Sequence, residues 1–279
     1  MPNIALEFVS VFGMPPVQLV KLAADLGYQH ITTVLQPMDR NVEGYATWTL
    51  RDPEHRRELV SALRDHGISI SLGEGLAIVA GADVRDTCPA DLDAMAELGV
   101  PRINCVSLDP DLGRCFDQLA IFAGMAAERG IATMVEFVPI FTTPDLPTGI
   151  AAVTHVGRPD CQLIMDTMHL GRTHASIAEI KAVDPRLIGY IQLCDVPLVP
   201  VVSDYMEEAV MDRKVPGEGE LPLFEMLAAL PRDVVVGLEI PMAAEARAGV
   251  GPHARMKRCL DAARGLLARI EHQDQVGAS

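Results

Sequence analysis

The chain has 279 residues, of which 49% are hydrophobic, and a formal net charge of -15 at pH 7. A chain of this length with no break in composition can bury one large core, so we expect a single α/β domain over residues 1–279. Nucleic-acid binding draws its affinity from Lys and Arg side chains that neutralise phosphates. The negative charge therefore argues against nucleic acid and against anionic membranes as partners.

The cysteine pattern and the N-terminal segment bear on where the protein works. The six cysteines form no CxxC or CxxH pair, which argues against a zinc knuckle and against a disulfide framework, and which fits a reducing compartment. The N-terminal segment has no basic stretch followed by an apolar one, and no apolar run approaches the roughly 20 residues that span a bilayer. We expect an untargeted cytoplasmic protein.

The first half of the chain alternates between apolar runs of strand length and amphipathic segments of helical length. In segment 15–26, apolar residues recur at i, i+3, i+4 and i+7 from Leu19, and Gly27 follows as a helix stop. The predicted strands of this half are 4–10, 30–35, 68–72 and 102–108, and the predicted helices are 15–26, 53–66 and 90–98.

The second half continues the alternation. Its predicted strands are 131–138, 161–166, 187–193 and 234–240, and its predicted helices are 112–129, 147–156, 175–182, 221–230 and 252–270. Eight strand–helix units at even spacing favour a parallel (β/α)8 TIM barrel. A doubly wound open sheet is the alternative, because alternation by itself does not prove that the sheet closes.

Four consecutive predicted strands end on a side chain that carries oxygen. These residues are Glu136, Asp166, Gln192 and Glu239. In a barrel they would converge at the C-terminal ends of the strands, where active sites lie. An oxygen-rich set of this kind suits Mg2+ or Mn2+, and Zn2+ or Co2+ stays open because His169 is close to Asp166 in the sequence. The alternative is that the carboxylates are solvated strand ends paired with Arg or Lys.

The same residues resemble the xylose isomerase-like barrels, also called the sugar phosphate isomerase/epimerase superfamily. The matching segments are VEFVP with Glu136, DTMH with Asp166 and His169, YIQLCD with Gln192, GLEIP with Glu239, and RKVPGEGE from Arg213 to Glu220. In that family a metal is held by Glu on strand five, Asp on strand six, His or Gln on strand seven and Glu on strand eight. The resemblance therefore implies that the four strand-end residues bind a divalent metal. The amide on strand seven is similar to that of hydroxypyruvate isomerase-type members.

The resemblance also implies an activity. It predicts a metal-dependent isomerase or epimerase that acts on a sugar or keto-acid by proton transfer through an enediolate, with Glu136 and Glu239 as the acid/base groups. His169 would hydrogen-bond a substrate oxygen; its alternative role is that of a helix-cap or core histidine. A dehydratase or lyase acting on a keto-sugar, keto-cyclitol or dehydroshikimate-like substrate uses the same proton abstraction. A sugar-binding barrel without activity is the non-enzyme alternative.

The segment 193–221 is the longest irregular connection predicted, and connections of this length are often functional, so we interpret it as a lid. Within it, Arg213 is the predicted substrate contact, because a guanidinium binds a carboxylate or vicinal hydroxyls. A surface ion pair with Asp212, Glu218 or Glu220 is the alternative. Other polar residues near the predicted strand tops are pocket candidates, namely Glu7, Gln36, Glu74, and Asn104 or Ser107. The expected partner is a small carbohydrate or keto-acid, and a homo-oligomer stays open.

Overall fold

Eight parallel strands close into a barrel in the computed structural model, which describes residues 3–277. The strands are β1 Ile4–Leu6, β2 His30–Val34, β3 Ser69–Ile78, β4 Arg102–Ser107, β5 Ala132–Glu136, β6 Cys161–Asp166, β7 Ile188–Leu193 and β8 Val235–Leu238. Each strand pairs with its neighbour in the chain, and β1 pairs with β8. The predicted (β/α)8 barrel is thus confirmed and the open sheet is excluded. The predicted domain, residues 1–279, extends two residues beyond the described part of the chain at each end.

Helices surround the barrel and cover its outer face. They are α1 Pro16–Leu26, α2 Pro53–His66, α3 Val84–Thr87, α4 Pro89–Glu97, α5 Leu112–Ala127, α6 Leu146–Val156, α7 Thr167–Arg172, α8 Ile177–Ala182, α9 Tyr205–Met211, α10 Leu223–Ala228, α11 Ala243–Arg247 and α12 Pro252–Gly277. Local signals set many of their ends: Asp52 caps α2, and Gly27 ends α1 at a φ of 84°. Between residues 3 and 277, no helix has both the length and the apolar character needed to cross a membrane.

The barrel interior has an apolar floor and a polar upper part. Ala5, Leu72, Met134, Ile164, Tyr190 and Val235 form the apolar cluster inside the barrel. Above it, Gly237 on β8 makes room for a carboxylate, because a Cβ atom there would overlap Oε1 of Glu7. The barrel thus holds charged groups above its apolar layer, at the ends of the strands where a site is expected.

Several element boundaries differ from the sequence-based predictions. The first strand stops at Leu6, and residues Phe8–Val11 form a 3-10 helix. The Ser10 hydroxyl donates to Leu238 O at 3.0 Å and accepts from Ile240 N at 2.7 Å, which holds this turn against the end of β8. The third strand continues to Ile78, the last helix continues to Gly277, and the predicted lid contains α9. Apolar periodicity cannot reveal a turn that is fixed by hydrogen bonds to residues far away in the chain.

Candidate metal centre and active site

The four strand-end residues lie together at the C-terminal end of the barrel. Glu136 and Asp166 are the last residues of β5 and β6, Gln192 lies in β7, and Glu239 follows β8 directly. Asp166 pairs with Gln192 across β6 and β7, and Gln192 pairs with Gly237 across β7 and β8. The closed barrel therefore brings together side chains that lie up to a hundred residues apart in the sequence.

His169 joins two of these residues in a group with the geometry of a metal site. Glu136, Asp166 and His169 each offer one ligand atom, and the three atoms lie within 4.8 Å of one another. Nε2 of His169 is 3.1 Å from Oε1 of Glu136. The His169 ring is thus close enough to act as a ligand, a role that the sequence assigned to the strand-end residues alone.

A helix cap explains how the DxxH spacing produces this arrangement. The Asp166 side chain caps α7 by accepting a hydrogen bond from the backbone N–H of His169 at 3.0 Å. An N-cap residue and the residue three positions later lie on the same side of the first turn. The sequence-based predictions include no helix directly after the sixth strand, although an Asp that ends an apolar run is itself an N-cap signal.

Arg213 lies inside the site. Its side chain is only 2% exposed, and Nη1 is 2.7 Å from Asp166 Oδ2 and 3.1 Å from Glu239 Oε2. Its Nε donates to Ala209 O at 2.7 Å and its backbone N–H donates to Pro241 O at 2.8 Å. Its guanidinium therefore pairs with two predicted metal ligands, so the alternative of a surface ion pair does not describe this residue. Its contact with substrate remains a prediction.

The buried charges do not balance among the residues of the site. Burial alone raises the pKa of Asp166, but the charge and hydrogen bond of Arg213 hold it well below its usual range. Burial raises the pKa of Glu239 well above its usual value, and the charges of Asp166 and Glu136 add to this effect while Arg213 opposes it. The raised pKa of Glu239 means that Arg213 alone does not compensate a negative charge at this position beside Asp166. A divalent cation would supply the missing positive charge.

Unsatisfied polar atoms also indicate a place for a cation. Gln192 is 1% exposed, yet neither Oε1 nor Nε2 of its amide has a hydrogen-bond partner. Glu239 Oε2 makes the ion-pair contact with Arg213 but has no hydrogen bond. A buried polar group left without a partner costs roughly 1–3 kcal/mol. Carboxylate and amide oxygens with one imidazole nitrogen fit Mg2+, Mn2+ or Zn2+, so the residues present fit a divalent metal.

Asn104, a pocket candidate from the sequence, fixes the carboxylate of Glu136. Its Nδ2 donates to Glu136 Oε2 at 2.6 Å, while Nε2 of His169 lies on the other oxygen, Oε1. Asn104 Oδ1 is buried and has no hydrogen-bond partner. The Glu136 carboxylate is thus held from two sides, and the Asn104 amide oxygen is left to accept a hydrogen bond from a ligand.

Two more pocket candidates, Glu7 and Glu74, form a carboxyl pair on the side of the barrel made by β1 and β3. Glu7 is fully buried, and it lies close enough to Glu74 for the pKa of each carboxyl to depend on the other. Burial raises the pKa of both groups, and for Glu7 the charge of Glu74 adds to the increase. The Tyr190 hydroxyl donates to Glu7 Oε1 at 3.0 Å, whereas Glu7 Oε2 and Glu74 Oε1 have no donor. One shared proton would satisfy both oxygens.

Helix α9 belongs to the segment predicted to be a lid, and it packs over the site. Its Tyr205 hydroxyl contacts Nδ1 of His169. Its Glu208 forms a buried ion pair with Arg172 of α7, with contacts of 2.5 and 3.0 Å. Tyr205 could not be identified from the sequence, because a single tyrosine on a short helix has no periodic signal.

The fold and site define a class: a (β/α)8 barrel whose strand ends carry an oxygen-rich, metal-compatible cluster. Residues 20–264 match the family described as the xylose isomerase-like TIM barrel. The chain belongs to that family, as the motifs in its sequence predicted. No curated protein matches the chain in sequence.

Solved structures with the same fold include three of different kinds. A xylose isomerase-like TIM barrel/4-hydroxyphenylpyruvate dioxygenase fusion protein has 20% identity and a TM-score of 0.76 over 98% of this chain, which spans only 43% of that protein. The IOLI protein with a bound zinc atom has 17% identity and a TM-score of 0.78, with 97% and 99% of the two chains covered. A D-psicose 3-epimerase in the presence of D-fructose has 17% identity and a TM-score of 0.67, with 96% and 97% covered. At these identities the likeness shows the fold alone.

Proposed function

We propose that the protein is a divalent-metal-dependent isomerase or epimerase of a small sugar or keto-acid, acting by proton transfer through an enediolate. Membership of the xylose isomerase-like family supports this class of reaction. The similarity in fold to a D-psicose 3-epimerase and to a zinc-bound protein is consistent with it. We take Mn2+ or Mg2+ as the expected metal, with Zn2+ or Co2+ as alternatives.

The observation that carries the proposal is the buried, partnerless amide of Gln192 beside three carboxylates. Glu136, Asp166, Gln192 and Glu239 would hold the metal, and His169 is close enough to contribute a nitrogen. A bound dication polarises a carbonyl oxygen and stabilises the negative charge that develops when a neighbouring C–H proton is removed.

The protein's own residues account for the proton transfer. Glu136 and Glu239 lie at the ends of β5 and β8, so their carboxylates approach a ligand at the barrel axis from different sides. One can remove the proton next to a carbonyl, and the other can return it. Arg213 pairs with Asp166 and Glu239, and we expect it also to contact a substrate oxygen.

Isotope exchange tests this division of work. The wild type with Mn2+ and a panel of ketoses and keto-acids should incorporate solvent deuterium at the carbon next to the carbonyl. Glu136→Gln and Glu239→Gln should each lose net turnover, and one of them should retain exchange with solvent. Glu218→Gln, which changes a carboxylate that pairs with Arg258 away from the site, is the matched control. Substantial turnover in both active-site variants would contradict the assignment.

The same reaction mixtures distinguish isomerisation from elimination. Isomerisation leaves the substrate mass unchanged apart from deuterium, whereas a dehydratase or lyase releases water or another leaving group and forms an enone that absorbs in the ultraviolet. Mass spectrometry and absorbance on one sample therefore decide between the two. Loss of mass with a new ultraviolet band would replace the isomerase proposal with the lyase alternative.

A further inference from the structure

The imidazole of His169 is held between two partners, one on each ring nitrogen. Nε2 is 3.1 Å from Glu136 Oε1, and Nδ1 contacts the hydroxyl of Tyr205. The centroids of the His169 and Tyr205 rings are 5.8 Å apart, and the angle between the ring planes is 34°. The ring is 3% exposed, so few alternative partners are open to it.

Helix α9, which carries Tyr205, is held by the hydrogen bond from Nε of Arg213 to Ala209 O and by contacts outside the metal centre. Asp204 caps α9 by accepting from the backbone N–H of Glu207 at 2.8 Å, and the Glu207 side chain pairs with Arg40 at 2.9 Å. The buried pair of Glu208 with Arg172 ties the same helix to α7, where His169 lies. The packing of α9 therefore fixes the position of the Tyr205 hydroxyl, and the imidazole of His169 orients towards that hydroxyl.

The hydrogen-bond roles follow from simple chemistry. A neutral imidazole has one donor and one acceptor nitrogen, and an ionised carboxylate only accepts. Opposite Glu136 the proton must lie on Nε2, so Nδ1 accepts from the Tyr205 hydroxyl. If Nε2 instead binds a metal, the proton lies on Nδ1, which then donates to the Tyr205 oxygen. A hydroxyl can serve in either role, whereas a carboxylate or a carbonyl can only accept.

We propose that Tyr205 is a positioning residue that fixes the ring orientation of His169, so that helix α9 completes the active site. This inference rests on the proposed function for its catalytic consequence but not for its structural test. Substrate entry and product release would then require α9 to move. The His169 ring would keep its orientation only while α9 covers the barrel.

Nitrogen-15 NMR of histidine-labelled full-length protein tests the structural part. After dialysis against a chelator, His169 should show one protonated nitrogen, Nε2, and one unprotonated nitrogen, Nδ1. His169→Gln assigns the signals among the eight histidines. In Tyr205→Phe the Nδ1 resonance should shift because this nitrogen loses its hydrogen-bond donor. Tyr45→Phe, which removes a hydroxyl that contacts Glu43, is the matched control and should leave His169 unchanged.

Incorporation of 3-fluorotyrosine provides a second measurement if Tyr205→Phe does not fold. It keeps the ring and makes the hydroxyl a stronger donor, so the Nδ1 resonance of His169 should shift. Unchanged His169 resonances in both the Phe variant and the fluorinated protein, or a wild type with the proton on Nδ1, would overturn the proposal.

Kinetics tests the consequence for activity. In the metal-loaded enzyme Tyr205→Phe should lower kcat by about 10- to 100-fold, the usual effect of removing a partner that orients a site histidine, with little change in KM. A raised KM at unchanged kcat would contradict a positioning role. If no sugar or keto-acid is turned over by the wild type, the proposed function fails, while the NMR result still decides the role of Tyr205.

Discussion

Replacing Glu7 with Gln should stabilise the protein at neutral pH. In the wild type, Glu7 Oε2 and Glu74 Oε1 have no hydrogen-bond donor, and a proton held between the two carboxyls would satisfy both. A Gln at position 7 is a permanent neutral donor of nearly the same shape. Its amide oxygen can still accept from Tyr190, and its NH2 group can donate to Glu74.

The direction of the pH dependence follows from the raised pKa. Burial raises the pKa of Glu7 well above the value of 4.5 that an unperturbed glutamate has. A raised folded-state pKa contributes stability that is fully present below the unfolded pKa and is lost as the pH rises through the folded pKa. The wild type should therefore lose stability between mildly acidic and alkaline pH, and the Gln variant should lose less.

The size of the effect follows from the unsatisfied oxygens. A buried polar group without its hydrogen bond costs roughly 1–3 kcal/mol. We expect the Gln variant to exceed the wild type in free energy of unfolding by about 1–3 kcal/mol at about pH 8, with a smaller difference at about pH 5.

Urea unfolding followed by circular dichroism at both pH values measures this difference. Comparing variant with wild type at each pH cancels the contribution of other titrating groups. Glu58→Gln, which changes an exposed carboxylate on α2, is the control and should show no such trend. A Glu7→Gln variant that is less stable than wild type at the higher pH, or a difference that does not change with pH, would refute the shared-proton reasoning.

Three other substitutions examine neighbouring parts of the site. Gln192→His should keep metal binding, because an imidazole can replace the amide as a ligand, but should change metal affinity as measured by calorimetry. Gly237→Ala should cost about 1–3 kcal/mol of stability in thermal unfolding, since its Cβ atom would displace Glu7. Glu208→Ala should cost roughly 3–5 kcal/mol by leaving Arg172 buried without its partner, and hydrogen exchange should show faster opening of α9. A Gln192→His protein that folds but binds no metal would contradict the first prediction. An unchanged melting temperature in Gly237→Ala would contradict the second, and unchanged hydrogen exchange of α9 in Glu208→Ala would contradict the third.

The barrel could be predicted because its determinants are local. Apolar runs alternate with amphipathic segments along the whole chain, and glycines such as Gly27 mark the helix ends. Most predicted boundaries fall within two or three residues of the observed ones. The larger differences are at the ends of β3 and α12 and at the first strand, where the Ser10 hydroxyl is bonded to Leu238 and Ile240.

The candidate site was visible in the sequence only in part. Each strand that ends on a carboxylate or an amide carries its own signal, so Glu136 and Gln192 could be named without a structure. The inward turn of Arg213 and the contact of Tyr205 with His169 depend on how the segment after β7 folds over the barrel. No spacing rule relates that segment to the strand ends, because its position is set by ion pairs with residues far away in the chain.

Metal binding by the strand-end residues is the central claim, and titration of the chelated full-length protein with Mn2+ tests it most directly. Followed by calorimetry or by electron paramagnetic resonance, the wild type and Glu218→Gln should each bind one equivalent. Glu239→Gln should bind far more weakly, because it removes one of the buried charges that the cation neutralises. Undiminished Mn2+ binding in Glu239→Gln, or no binding in the wild type, would contradict the metal centre described above.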